Sequence, residues 1–171
     1  IRMAAPLFPV NTHRHDPYRT FKFQVIFDGQ PVAGLKKMSA LKKKTEPVKW
    51  RASNDPSHER VMPGGTSYEP VTLEQGLTHD PVFESWANLV NNIDGDGGMS
   101  LKNFRKDVII NVLNLQGQVA ISYKLFRAWV SDYQAVPDLD AGTMNAVGIQ
   151  TITLQHEGWQ RDTAVAEPAE S

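Results

Sequence analysis

The residues with the types and spacing for chemistry fall in four places, and each can be tested against what its chemistry requires. Asn92-Ile-Asp94-Gly-Asp96-Gly97-Gly98 resembles the start of a calcium loop. Such a loop needs oxygen ligands at positions one, three and five, a glycine at six, and a bidentate Glu at twelve. Position one is Asn92 and position twelve is Asn103, so charge and bidentate ligand are both lost. A Gly/Asp-rich turn closing a helix is the expected reading. His156 and Glu157 adjoin, but neighbours on a strand face opposite ways, so they cannot act as a dyad there. His13 and His15 lie two apart with no evident third ligand. Gly64-Gly65 lacks the Lys-Ser/Thr of a phosphate loop, and no Gly-x-Ser-x-Gly elbow occurs. The chain has no cysteine, which excludes thiol nucleophiles, thiolate metal sites and disulfides. The expectation is therefore no enzyme, no catalytic residue, no cofactor and no metal.

Charge is more informative than these motifs. The 171 residues carry 18 Lys+Arg and 19 Asp+Glu, a net charge of −1. That balance argues against a specific nucleic-acid site. No apolar run approaches the roughly 18–20 residues of a membrane span, and the first ten residues make a poor signal peptide. Absent cysteine fits a reducing compartment, so assembly in the cytoplasm is expected. Yet residues 36–51 hold seven bases (Lys36, Lys37, Lys42, Lys43, Lys44, Lys49 and Arg51) against Glu46, a local +6 that leaves −7 elsewhere. Two readings stay open. Lysines on a strand edge block improper pairing, or a basic segment of one copy meets an acidic face of another.

The elements that would position these residues are mostly strands. Phe21, Phe23, Val25 and Phe27 alternate with Lys22 and Gln24, and Asp28-Gly29 stops the run as a turn. Val71 to Leu77 has the same period. Val108, Ile110 and Val112 lead into a turn at 114–118, and Val119, Ile121, Tyr123 and Leu125 continue to Trp129, a long hairpin. Val147 to His156 alternates Ile152 and Leu154 against Thr151, Thr153 and Gln155. Asp80-Pro81 is a helix start. Val82, Trp86, Leu89 and Ile93 then recur at helical spacing as one apolar face, and Gly95, Gly97 and Gly98 end it. Residues 52–68, with Asp55-Pro56, Pro63 and Gly64-Gly65, read as a long loop, and such loops are usually functional. Val48 and Trp50 alternate with Lys49 and Arg51 before it, so the arm should begin as a strand, with Trp50 burying against something beyond the domain. The fold class is mainly antiparallel β with one packed helix. Residues 1–15 are expected as an N-terminal arm, 16–160 as the domain and 161–171 as a flexible tail.

Several segments, taken in order, resemble tail tube proteins of contractile phages and phage-like particles. They are Asp16-Pro-Tyr-Arg-Thr-Phe-Lys-Phe-Gln-Val, Asp28-Gly29, Val32-Ala-Gly34, Met62-Pro-Gly-Gly65, Val71-Thr-Leu-Glu-Gln-Gly76 with Leu77, and Trp86. Val136-Pro-Asp-Leu-Asp-Ala141 and Ile152-Thr-Leu-Gln-His-Glu-Gly158 complete the set. Within that family the inner tube proteins of extracellular contractile injection systems are the most similar. The resemblance implies a β-barrel or sandwich-like domain with one helix, and homohexameric rings stacked into a hollow tube. Its implied partners are a contractile sheath protein, baseplate and tube-terminating proteins, and cargo in the lumen. The product would be a phage tail or a phage-like particle released outside the cell. It carries over no catalytic residues. Unpaired strand edges fit the same picture, since a closed ring of copies can satisfy them. The contact residues expected between copies are Lys42, Lys43, Lys44, Val48, Lys49, Trp50, Arg51, Asp55, Pro63 and Gly64, with the arm at 45–68 reaching a neighbouring ring. The alternative is a monomeric ligand-binding β-barrel module.

Overall fold

The computed structural model describes residues 18–54, 56–90, 93, 101–166 and 168. The strands are β1 (Phe23–Phe27), β2 (Gln30–Pro31), β3 (Leu35–Met38), β4 (Lys43–Trp50), β5 (Arg60–Tyr68) and β6 (Val71–Gly76), then β7 (Lys106–Leu113), β8 (Val119–Gln134), β9 (Ile149–Gln155) and β10 (Trp159–Arg161). Among the described residues there is one helix, α1 (Val82–Val90), between β6 and β7. The main sheet runs β2-β1-β7-β8-β9-β6-β3, with β10 also on β8, and among the described residues β4 and β5 pair with each other apart from it. All pairings are antiparallel.

The long strand β8 turns this sheet into two layers. Its first half pairs with β7 and β10, and its second half pairs with β9. The corner falls at Arg127, whose φ of 51° is unusual for a residue with a side chain. There the register against β7 slips, so Asp107 faces two residues, as in a β-bulge. Asp107 Oδ1 accepts the Arg127 backbone N–H at 3.1 Å, which fixes the bend. Phe126 keeps its ladder bonds to Gly158 and Glu157, so β9 and β10 follow the corner together. On the far side, the chain from β2 to β3 makes the same crossing. Val32 N–H bonds Val25 O in one layer, and Leu35 pairs with Gln75 in the other. Crossings on both sides give the barrel-like form.

Alternation then builds the core. Val25, Phe27, Val108, Ile110 and Leu125 point inward from one layer, and Val71, Leu73, Ile152, Leu154 and Val130 from the other. Phe83 and Trp86 of α1 complete the cluster, with the Trp86 ring 4.7 Å from that of Phe27. Asp80 Oδ1 accepts the Val82 N–H at 3.2 Å, the expected cap. The Asp28-Gly29 turn has positive φ at both residues, 55° and 73°, as a two-residue hairpin loop requires.

Three expectations need correction. Phe21 is outside the first strand and 60% exposed, because Phe23 is the last residue opposite β7 before that strand turns away at 114–118. Ile93 is fully exposed beyond the end of α1, and the buried helical residues are Phe83 and Trp86, with Val82 and Leu89 packed half-buried against the core. Residues 52–68 are not one long loop, since 60–68 form β5. The N-terminal arm with His13 and His15, and the calcium-like stretch apart from Ile93 and Asn103, lie outside the described residues.

Candidate assembly surfaces

The β4–β5 hairpin gathers nearly all the expected contact residues. Every residue of β4 is exposed, and most of β5 is too. The pairing runs from Lys43 opposite Tyr68 to Trp50 opposite Arg60. Residues directly opposite share a face. Val48 and Met62 therefore lie on one face with Trp50 and Arg60, and Lys49, Val61, Pro47 and Pro63 on the other. The Arg60 guanidinium lies 5.2 Å from the centre of the Trp50 ring. The register slips once, where Glu46 faces the Gly64-Gly65 pair. At Gly64 the strands come so close that a Cβ would sit 2.9 Å from Glu46 O and from Val48 Cγ2. Thr45 and Thr66 hydroxyls bond across the hairpin at 2.9 Å. Lys44 pairs with Glu46 at 3.2 Å, while Lys43, Lys49 and Arg51 have no ion pair among the described residues. Asp55 lies outside the described residues. Prolines at 47 and 63 remove two N–H donors, which limits unwanted pairing.

Side chains far apart in sequence tie the base of this hairpin to the body. The Tyr68 ring lies 6.0 Å from His156 and 6.3 Å, edge-on, from Trp159, which in turn meets Tyr123 at 5.8 Å. His156 Nε2 bonds Glu69 O at 2.9 Å, and Lys42 reaches the Glu69 carboxylate at 3.8 Å. Gly158 lies close under this packing, with φ of 145° and room for a Cβ only 3.3 Å from the Tyr68 ring. His156 and Glu157 lie beyond the end of β9, not on a strand as expected, and have separate partners, with Glu157 turned to Arg127 Nη1 at 3.3 Å.

Two further places have polar groups close together. Gln75 and Gln150 are buried and bonded to each other at 2.7 Å; Gln75 Nε2 also donates to Ala33 O, and the Tyr133 hydroxyl reaches Gln150 Oε1 at 3.4 Å. The Tyr133 phenol is held above its ordinary pKa, by burial first and by Glu84 second. This chain of bonds braces β6 against β9. A groove of about 310 Å³ runs between Ile109, Lys124 and Phe126 and the stretch from Gln160 to Thr163. Its Lys124 is engaged by Asp107 at 3.5 Å. Among the described residues no three His, Cys, Asp or Glu side chains come together to hold a metal, and no helix is long and apolar enough to cross a membrane.

The family model described as T4-like virus tail tube protein gp19 matches residues 19–160. Among solved structures, a chain of the anti-feeding prophage cap (tube-terminating cap) superposes with a TM-score of 0.73 at 22% identity, covering 93% of this chain and 99% of its own. A chain of the sheath–tube complex of the extracellular contractile injection system PVC, in its extended state, gives 0.70 at 20% identity, covering 86% and 93%. A chain of the six-fold symmetrised anti-feeding prophage baseplate gives 0.69 at 18% identity, covering 87% and 97%. At these identities the likeness establishes the fold. No curated protein sequence matches the chain.

Proposed function

Since the chain belongs to the T4-like virus tail tube protein family and has that family's structural, tube-building role, we propose that six copies close into a ring and that rings stack into a hollow tube. The hairpin carries this reading. A β-ribbon exposed on both faces, bearing Trp50, Val48 and Met62, is a poor monomer surface and a good reach toward a neighbour. Its strands add nothing to the core, so their length serves something outside the subunit.

In this reading the tube is the inner element of a phage tail or extracellular contractile particle. A contractile sheath surrounds it, baseplate and terminating proteins bound it, and cargo can occupy its lumen. The subunit does no catalysis and holds no cofactor or metal; its assembly takes place in the cytoplasm. The match to a family of structural tube proteins supports the non-catalytic part. Electron microscopy and light scattering of the purified protein test the assembly. Six-fold rings or tubes are expected. A monomer at high concentration that binds a small ligand saturably would replace this reading with the ligand-binding module.

A further inference from the structure

The hairpin springs from the body on two legs. They come out of β3 and β6, which stay paired as far as Met38 opposite Leu73. Just beyond, Ser39 N–H bonds Thr72 O at 2.9 Å and Thr72 N–H bonds Ser39 Oγ at 2.8 Å. Glu69 N–H then bonds Lys42 O at 3.2 Å, and the ribbon continues with every residue of β4 exposed. Two legs define an axis about which a ribbon can still swing. A third contact, away from that axis, is what fixes its angle.

The structure has such a contact, on a different part of the chain. Tyr68 is the last residue of β5, and its ring stands against Gly158, His156 and Trp159. His156 Nε2 bonds Glu69 O at 2.9 Å; a carbonyl only accepts, so Nε2 carries a proton and donates it. Residues 156–158 link β9 to β10, and Trp159 opens β10, so none of them belongs to the strands that launch the hairpin. The link is itself held in place. Phe126 N–H bonds Gly158 O at 2.9 Å, and Glu157 N–H bonds Phe126 O at 3.0 Å. Trp159 pairs opposite Leu125 and meets the Tyr123 ring edge-on at 5.8 Å. The hairpin thus rests on a seat built into the first layer, while its legs leave from the second.

We propose that Tyr68 is a positioning residue which, seated on His156, Gly158 and Trp159, aims the hairpin in the free subunit. The angle is then set before any neighbour is met. Such preorganisation removes an ordering cost from each added copy. The inference deepens the tube reading, on which it rests for what the hairpin is aimed at.

The chain has no cysteine, so Lys49→Cys with Asp132→Cys, both at exposed positions, carry two nitroxide labels and no others. Labelled full chain is diluted with unlabelled copies, and the distance within one copy is measured by pulsed electron paramagnetic resonance. A single narrow distance is expected in free subunits, unchanged when tubes form. A broad distribution in free subunits that narrows only in tubes overturns the inference, because the neighbour would then set the angle. Tyr68→Ala should lose the narrow distance while the thermal midpoint changes little, and Tyr68→Phe, which keeps the ring, should retain it. Equal distributions in Tyr68→Ala and the parent also overturn the proposal. His156→Ala, which removes one wall and the bond to Glu69, should broaden the distance too, and a parent-like distance there counts against the seat. Parent protein that forms no tubes overturns the tube reading, and the distance in free subunits still decides this inference.

Discussion

At the scale of single residues, two backbone and side-chain positions carry more of the fold than their surroundings suggest. Arg127 holds the corner of β8 in the left-handed region. A β-branched side chain is strained there, so Arg127→Val should lower stability by about 1–3 kcal/mol. Arg127→Gly relieves the strain and loses only an exposed ion pair to Glu157, so it should stay within about 1 kcal/mol of the parent. Urea unfolding of the two variants side by side checks this, and equal losses would mean the ion pair dominates. Gln75 is the second position. Gln75→Leu removes the partner of Gln150 and of Ala33 O in a buried place. A loss of about 1–3 kcal/mol is expected, and a neutral result would mean water replaces the amide. Gly64 has a different kind of importance. Gly64→Ala would press a Cβ against the Glu46 carbonyl, so it should distort the hairpin and impair tubes. Because the hairpin lies outside the core, the thermal midpoint should change little.

At the scale of elements, how well a strand could be read depended on whether the monomer buries one of its faces. Strands β1, β6 and β9 alternate because each has one face on the core, and β7 and β8 could be read as a hairpin for the same reason. Strand β5 has no buried side in the monomer, so Arg60 to Tyr68 carries no period, and Pro63-Gly64-Gly65 suggests a loop. What makes it a strand is β4 opposite, with a bulge that absorbs the glycine pair. The anchor at its base was hidden for another reason. Tyr68, Tyr123 and Trp159 are far apart in sequence, and no local spacing brings their rings together. The basic and aromatic residues of β4 were legible because charge and alternation are local properties. Replacing residues 53–60 with a tight turn should leave the core and its anchor folded, with an unchanged β circular-dichroism signal. Rings can still close, but long tubes should not form. Normal tubes would show that the tip is idle, and misfolding would show that it belongs to the core.

At the scale of the whole molecule, the charge separation predicts how assembly responds to salt. Each exposed pair contributes only about 0–1 kcal/mol, but a six-fold ring would repeat every contact. Screening at high ionic strength should therefore shorten tubes more than it lowers the unfolding midpoint. Tube lengths that are constant from low to molar salt would leave the lysines of residues 36–51 as a solvated edge. The position of the hairpin has a further consequence for stacked copies. A hairpin that leaves the body from one end of the second layer gives the subunit a direction, and copies stacked in one sense keep a single heading. The finished filament would present free hairpins, with Trp50 exposed, at one terminus and not at the other. A starter and a stopper for it would need different surfaces, and neither could do the other's work.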